Sequence, residues 1–275
     1  MRIIALVENI ASRPDCEPAH GLALWVETGS RRLLLDAGPS DVLVRNALAM
    51  GVDIAQADLL AVSHGHYDHA GGVLSFAALC PDAPIYLRRT AADAFFSGSG
   101  EDGTLHYIGV DPAVRRLSQL RRVDGTLEIG EDLVLFGDVT GRKAWPESNL
   151  KLFRKDGERY VQDSFDHEQC LVIRENGLTV LLSGCAHKGI INILDRYSEL
   201  WGDYPDVVIS GFHMKKSLPH TPDEEETIRA TARALCALPC RFYTCHCTGL
   251  PAYGLMKEIM GPRLAYLHCG DVLEL

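Results

Sequence analysis

Four residues of types that commonly bind metals lie within one six-residue segment of the sequence. They are His64, His66, Asp68 and His69, and they directly follow the apolar run at residues 59–62. A strand that ends there would deliver the segment to one edge of a sheet. His64 and His66 could then bind one metal ion, and Asp68 and His69 could bind a second, adjacent ion. Such a pair of ions can activate water near neutral pH and polarise a phosphoryl or carbonyl oxygen.

Further candidate residues lie beside later strand-like segments. His187, His213 and His246 each come at or just after the end of an apolar run, whereas His167 precedes one. Lys188 follows His187 and could contact a substrate phosphate as a point charge.

The segment from His64 to His69 matches the HxHxDH motif of the metallo-β-lactamase superfamily, and the sequence resembles that superfamily. The run Leu-Leu-Leu-Asp-Ala-Gly at residues 33–38 is similar to the superfamily's strand that ends in Asp-x-Gly. The resemblance implies that Asp36 fixes the orientation of a ligand histidine, although a capping or turn aspartate is the alternative. It also implies a four-layer αβ/βα sandwich, with metals at the open edge between two sheets.

Three later segments resemble one branch of this superfamily, which includes proteins named as dihydropterin–ribofuranosylaminobenzene phosphate synthases. They are Ser-Gly-Cys-x-His at 183–187, Gly-Phe-His at 211–213 and Cys-His-Cys-Thr-Gly at 245–249. The resemblance implies that His187 and His246 are metal ligands, and that His213 binds substrate or protonates a leaving group. Some superfamily members place a ligand histidine before the next strand, so the resemblance also makes His167 a competitor of His187, and we prefer His187. Many superfamily members place a metal-bridging Asp where this chain has Cys185. The Cys185 thiolate could bind metal instead, or Cys185 could be a non-ligand beside an asymmetric site.

The rest of the sequence predicts the elements that would position these residues. Short Val-, Ile- and Leu-rich segments alternate with helical patterns in two halves, which favours two mixed sheets packed face to face with helices outside. Gly29 and Ser30 form a predicted hairpin turn. One helix is predicted over residues 40–50. Another begins after Thr221, which forms a capping box with Glu224, and ends near Leu238. We expect a single domain over residues 1–275.

Two segments, residues 97–112 and 137–169, are predicted to be long loops, which are often functional. The second is rich in basic side chains that could meet an anionic substrate or lie in solvent. They are Arg142, Lys143, Lys151, Arg154, Lys155 and Arg159.

Composition limits the classes of partner. The net charge of −10 argues against a nucleic-acid partner. The sequence shows neither a signal-peptide pattern nor an apolar run near the roughly 20 residues that span a bilayer, so we expect a cytoplasmic protein without a membrane partner. Nine cysteines, an odd number, are expected to be reduced and mostly buried.

These features predict a metal-dependent hydrolase or transferase that acts on a phosphate or pyrophosphate ester, through a metal-activated water or a positioned nucleophile. We expect one or two divalent metal ions per chain, zinc before iron or manganese, and a small anionic, phosphorylated substrate. Asp68 would also act in catalysis by orienting the nucleophile. Three alternatives are a pterin–arylamine condensing synthase of methanopterin-type cofactor biosynthesis, a thioester or lactone hydrolase, and a non-catalytic metal or redox sensor.

Overall fold

The apolar and amphipathic segments of the sequence form strands and helices in a computed structural model that describes residues 1–98 and 103–275. In chain order the strands are β1 (Arg2–Val7), β2 (Ala23–Glu27), β3 (Arg32–Leu35), β4 (Leu59–Ala61), β5 (Ile85–Arg88), β6 (Phe95–Ser97), β7 (His106–Tyr107), β8 (Leu120–Val123), β9 (Leu127–Ile129), β10 (Leu133–Phe136), β11 (Leu152–Asp156), β12 (Arg159–Gln162), β13 (Cys170–Glu175), β14 (Leu178–Leu182), β15 (Val207–Ser210), β16 (Arg241–Thr244), β17 (Leu264–Tyr266) and β18 (Val272–Glu274). The helices are α1 (Val42–Ala49), α2 (Tyr67–Ala70), α3 (Val73–Leu79), α4 (Ile190–Trp201), α5 (Pro222–Cys236) and α6 (Leu250–Met260).

Two large mixed sheets organise the chain. The first has the strand order β18-β1-β2-β3-β4-β5-β8, and the second has the order β17-β16-β15-β14-β13-β10-β9. In the first sheet the pairs from β18 to β3 are antiparallel and those from β3 to β8 are parallel. The second sheet repeats this plan, because its pairs from β9 to β14 are antiparallel and those from β14 to β17 are parallel.

Side chains along each strand alternate between the two faces of its sheet. One hydrophobic core therefore lies between the two sheets, and one lies behind each sheet. In β1, Ile3 and Ala5 join the core that also contains Leu135 of the second sheet. The intervening Ile4 and Leu6 face the helices that cover the first sheet. The second sheet packs its other face against α4, α5 and α6. The four-layer αβ/βα sandwich that the sequence predicted is therefore confirmed.

Several local predictions are also confirmed. Thr28 and Arg31 close the hairpin turn at Gly29 and Ser30 through a backbone hydrogen bond of 2.8 Å. The capping box is present, since Thr221 Oγ1 accepts from Glu224 N while Glu224 Oε2 accepts from Thr221 N at 2.6 Å. All nine cysteines are free thiols, and all but Cys236 are buried.

The two segments predicted to be loops contain regular structure instead. Strands β6, β7, β11 and β12 form a third, antiparallel sheet in the order β12-β11-β6-β7. These strands are only two to five residues long and carry mostly half-buried or exposed side chains. They therefore lack the apolar runs by which longer strands are recognised. Residues 99–102 of the first segment lie outside the described residues.

None of the helices in residues 1–98 and 103–275 combines the length and apolar character needed to cross a lipid bilayer.

Candidate metal centre

The candidate ligands meet where loops from both large sheets converge. His64, His66, Asp68 and His69 follow β4 of the first sheet, and the later candidates follow β14, β15 and β16 of the second. The carboxyl ends of parallel strands lie at one sheet edge, so each sheet contributes one side of the site. Two close approaches of backbone are needed here. A Cβ at Gly65 would overlap the carbonyl oxygen of Ala91, and one at Gly184 would overlap the Ser63 hydroxyl.

One pair of imidazoles faces across the site from opposite sheets. The Nε2 atoms of His64 and His187 are 3.3 Å apart. His187 donates its Nδ1 proton to Asn149 Oδ1 at 2.9 Å, and His64 donates its own to Ser63 Oγ at 2.9 Å. In a neutral imidazole the other nitrogen then carries a lone pair, so two lone pairs point at each other. Burial and neighbouring histidines hold the pKa of both His64 and His187 well below the usual value.

A second pair of imidazoles repeats this arrangement. The Nε2 atoms of His69 and His246 are 3.2 Å apart. His69 Nδ1 donates to Asp36 Oδ2 at 2.6 Å, and His246 Nδ1 donates to Asn9 Oδ1 at 2.8 Å. Burial opposes a charge on His69, but Asp36 and the nearby carboxylate of Asp68 raise the pKa of His69 to about 9. The surroundings of this pair thus favour a positive charge between the rings.

These distances fit bound metal ions. Two nitrogens on one tetrahedral zinc ion lie about 3.3 Å apart, given Zn–N bonds of about 2.0–2.1 Å. The facing lone pairs of His64 and His187 repel one another unless a cation lies between them. The raised pKa of His69 favours a cation, either a proton or a metal ion, between His69 and His246. The residues of this structure therefore fit one divalent ion at each histidine pair.

Asp68 stands beside the second pair. Its Oδ2 atom is 3.3 Å from His246 Nε2 and 3.8 Å from His69 Nε2. Although burial favours the neutral acid, His69 and His246 hold the pKa of Asp68 well below its usual value. His20, at the mouth of the site, is half exposed and approaches the same carboxylate oxygen at 3.5 Å. Asp68 is thus an anionic oxygen ligand available to an ion at the second pair.

His66 and His167 differ in what their nitrogens contact. Within the described residues, the buried Nε2 of His66 has no hydrogen-bond partner. His167 accepts a hydrogen bond from Gly65 N at 3.0 Å through Nδ1 and donates to Asp163 Oδ2 at 3.0 Å through Nε2. Both nitrogens of His167 thus have partners, whereas His187 directs Nε2 toward His64. His66, Asp163 and His167 also form a group whose ligand atoms lie within 4.8 Å of one another, so His167 stays a candidate ligand.

Cys185 lies between the two histidine pairs. Its Sγ belongs to a cluster with His64 and His187 and to another with His69 and His246, and within each cluster the ligand atoms are all within 4.8 Å of one another. The thiol is 3.2 Å from His69 Nε2. Burial, together with the neighbouring thiol of Cys247, raises the pKa of Cys185 well above its usual value. A thiolate here would need a cation beside it.

Asp36 links the two histidine pairs from behind. Its Oδ2 accepts from His69 Nδ1 and from Ser63 Oγ, the latter at 2.8 Å, and Ser63 Oγ in turn accepts from His64. Its Oδ1 accepts from Ser63 N at 2.6 Å. The structure thus places Asp36 against His69 and connects it to His64 through Ser63.

Two buried glutamates and two asparagines hold the later ligand loops, and the sequence analysis missed all four. Glu168 accepts from the backbone N–H of His187 at 2.6 Å, and Glu8 does the same for His246 at 2.6 Å. Asn149 and Asn9 contact the same two histidines. Glu8 and Asn9 directly follow β1, so polar residues after a buried strand were the available signal.

A cavity of about 400 Å³ opens onto these residues. It is lined by His20, His66, Tyr67, Asp68, Ser97, His106, Ile108, Leu152, Cys185, His187, His213, Lys215, His246 and Cys247. The third sheet supplies one wall, because Ser97, His106 and Leu152 belong to β6, β7 and β11. The segments predicted to be loops are thus part of the site in a more ordered form than expected.

His213 projects into this cavity with an unusual backbone conformation. It has a φ of 51°, in the left-handed region that non-glycine residues seldom adopt, and such strain is common at functional sites. His213 Nδ1 donates to Ser148 Oγ at 2.6 Å, while Ser148 donates to the carbonyl oxygen of His213 at 3.0 Å. Burial, with His246 nearby, lowers the pKa of His213 to about 3. His213 therefore presents an unprotonated Nε2 to the cavity, and this nitrogen can accept a hydrogen bond.

The lysine at the cavity is not the one expected from the sequence. Lys188 forms an ion pair with Asp166 at 3.0 Å and is absent from the described lining. Lys215 lines the cavity instead and forms no ion pair within the described chain. Its backbone N–H donates to Cys247 O at 2.7 Å, which ties it to the His246 loop. Lys215, and not Lys188, is therefore the lysine beside the candidate metal centre.

Comparisons with known proteins agree with this geometry. Residues 17–147 match the family model of the metallo-β-lactamase superfamily. The crystal structure of a metal-dependent hydrolase of the β-lactamase superfamily is 31% identical to this chain and superposes with a TM-score of 0.83, covering 100% of this chain and 99% of that one.

Two relatives come from Methanocaldococcus jannaschii. An uncharacterized protein is 27% identical over 218 residues, which is 76% of this chain and 78% of that protein. A 7,8-dihydropterin-6-methyl-4-(β-D-ribofuranosyl)-aminobenzene-5′-phosphate synthase is 24% identical over 275 residues, covering 93% of this chain and 90% of the synthase.

Proposed function

The chain belongs to the metallo-β-lactamase superfamily, and on that basis we propose that it is a metal-dependent enzyme that hydrolyses or transfers at a phosphate or pyrophosphate ester. The observation that carries the proposal is the pair of imidazole contacts. Two Nε2–Nε2 distances of 3.3 and 3.2 Å lie beside one cavity, and each ring is fixed by a hydrogen bond from Nδ1. At His64 and His187, whose pKa values lie well below the usual value, a structural role alone would not need facing lone pairs.

We propose that the ligands fall into two sets. His64, His66 and His187 would hold one divalent ion, and Asp68, His69 and His246 would hold the other, with Cys185 shared between them. Zinc is the first candidate, because imidazole, carboxylate and thiolate together suit it, and iron or manganese would follow. When bound, such ions would lower the pKa of a water molecule and polarise the phosphorus–oxygen bond of the ester.

The remaining residues would bind the substrate and move protons. Lys215, the lysine in the described lining of the cavity, would contact an anionic group of the substrate. Asp68 would orient the attacking nucleophile as well as bind metal. His213, whose Nε2 is unprotonated, would bind the substrate by accepting a hydrogen bond. The cavity of about 400 Å³ suits a small molecule and not a polymer.

The test is turnover of a phosphodiester by the metal-loaded protein. Protein purified without chelator would be assayed for metal content and then with bis(4-nitrophenyl) phosphate and with inorganic pyrophosphate. We expect up to two metal equivalents per chain and release of nitrophenol or phosphate that ceases with Asp68→Ala. Metal-loaded protein that turns over neither compound, but cleaves thioesters or lactones, would instead favour the carbonyl alternative.

The second candidate is a condensing synthase, and the observation that favours it is the relative from Methanocaldococcus jannaschii that covers 93% of this chain. The same metal centre would then stabilise a departing pyrophosphate while an arylamine attacks an activated pterin. The discriminating assay supplies both substrates and looks for the joined product by mass spectrometry. Metal-loaded protein that hydrolyses phosphodiesters but never forms this product would exclude the synthase. If the protein released its metal on mild oxidation and turned over no substrate in any assay, the non-catalytic metal or redox sensor would be favoured.

A further inference from the structure

A second cavity, of about 510 Å³, adjoins the first one. His213 and Lys215 line both cavities, so the second cavity begins where the candidate metal centre ends. Its volume falls within the range of about 300–1,000 Å³ that small-molecule sites usually have. A ligand that reaches the metal ligands could therefore extend into this second space.

The two cavities differ in chemistry. The first contains imidazoles and the Asp68 carboxylate, whereas the second is lined by large apolar side chains, among them Trp145, Phe212 and Met214. Trp145 is half-buried. Its ring is held by the guanidinium of Arg142, which lies 4.9 Å above it, and by the ring of Phe165 at 6.1 Å. An indole fixed in this way offers a planar apolar surface.

Charged groups at the boundary favour an anion. Lys215 and Lys151 line the second cavity, and neither forms an ion pair within the described chain. Lys216 is neutralised by Glu224 at 2.6 Å, which leaves Glu147 as the opposing carboxylate in the lining. The positive charge thus exceeds the negative charge, and the cation shared with the metal centre is Lys215.

We propose that this second cavity, the Trp145 cavity, binds the aromatic group of an aryl phosphate or aryl-bearing phosphoester, while Lys215 contacts the phosphate at the boundary with the metal centre. The inference rests on the proposed function, because it names the substrate class of the same site. The apolar lining would desolvate a ring, and Trp145 would stack on it or pack edge to face. A ligand with a phosphate but no aromatic ring would contact Lys215 at the boundary and leave the Trp145 cavity empty.

The test compares two phosphonates that resist hydrolysis. Binding of phenylphosphonate and methylphosphonate to zinc-loaded protein would be measured by isothermal titration calorimetry. We expect the phenyl compound to bind about tenfold more tightly, since aromatic contact and burial contribute about that factor. Trp145→Ala should remove most of this preference while leaving methylphosphonate binding unchanged, and Trp145→Phe should retain it. Lys215→Gln should weaken the binding of both phosphonates.

Matched variants separate these effects from general damage. Tyr160→Ala removes an exposed aromatic residue that is absent from the described cavity linings, and Lys188→Gln removes a lysine that is paired with Asp166. Neither should alter binding of either phosphonate. If Trp145→Ala fails to fold by circular dichroism, Trp145→Leu gives the same comparison.

The outcomes distinguish this inference from the proposed function. Equal affinity for the two phosphonates, binding of neither, or a phenyl preference that persists in Trp145→Ala, would overturn the inference even if the protein hydrolyses phosphodiesters. A phenyl preference that depends on Trp145, in a protein that turns over no phosphoester, would support the cavity assignment and count against the proposed function alone.

Discussion

Asn149 holds His187 at two points: its Oδ1 accepts the ring Nδ1 proton at 2.9 Å, and its Nδ2 donates to the backbone carbonyl of His187 at 2.7 Å. Asn9 does the same for His246, with distances of 2.8 and 3.1 Å. One amide therefore fixes both the tautomer and the orientation of a proposed ligand. The two later histidines of the proposed metal centre come from different loops, but an asparagine holds each of them in the same way.

Replacing this amide should weaken metal binding more than it weakens the fold. We expect Asn149→Ala to lower zinc affinity by about 10–100-fold, the usual effect of losing a partner of a ligand histidine. Zinc affinity would be measured by competition with a chelating dye. Asn46→Ala is the matched control, because Asn46 is buried but donates to Leu6 and Glu17 instead. Equal zinc affinity in both variants would show that the Asn149 contacts do not position a ligand.

Asp36 should affect both proposed ions at once. Its carboxylate contacts His69 directly and His64 through Ser63. We expect Asp36→Ala to lower the affinity of both metal equivalents, and Ser63→Ala to lower mainly the equivalent bound by His64 and His187. Metal titration of the two metal-free variants, followed by elemental mass spectrometry, measures this difference. If Asp36→Ala lost only one metal equivalent, or if Ser63→Ala lost both, Asp36 would not connect the two proposed metal sites as described.

The sequence predicted those parts of the site that lie in contiguous motifs. His64, His66, Asp68 and His69 could be placed together because they occupy six residues after one apolar strand. Asp36 was found through the resemblance of residues 33–38 to the superfamily's strand that ends in Asp-x-Gly. Asn149 could not be found in this way, since it lies 38 positions before His187 and approaches it only through tertiary packing.

Lys215 and the third sheet were missed for related reasons. The sequence favoured Lys188 because it follows His187, but that side chain turns to Asp166. Lys215 reaches the cavity because its backbone bonds to the His246 loop, a contact between segments about 30 residues apart. Strands β6, β7, β11 and β12 are stabilised by pairing with one another, and short polar strands carry little periodic signal. The single-domain organisation stays a prediction.

Asp68 should matter for turnover far more than for folding. We expect Asp68→Ala to lower phosphodiester turnover by about 10³-fold or more, because an anionic ligand beside His246 and His69 contributes several kcal/mol to transition-state stabilisation. Circular dichroism should show a folded protein. Asp166→Ala removes an exposed carboxylate that pairs with Lys188 and should leave turnover unchanged. Normal turnover in Asp68→Ala would rule out the proposed mechanism.

Metal removal should destabilise the folded protein, because the lone pairs of His64 and His187 would then face each other in the core with no ion between them. His64 and His187 are both buried, and their Nε2 atoms would remain 3.3 Å apart without a shared ion. Bound zinc at 100 times its dissociation constant stabilises the folded state by about 2.7 kcal/mol. For a chain of this size that corresponds to a rise in Tm of roughly 5–10 °C. Differential scanning calorimetry of chelator-treated and zinc-restored protein measures the change. His187→Ala, which lacks one of the two nitrogens, should show a smaller difference. Identical Tm values for treated and restored wild-type protein would mean that no ion binds at this pair.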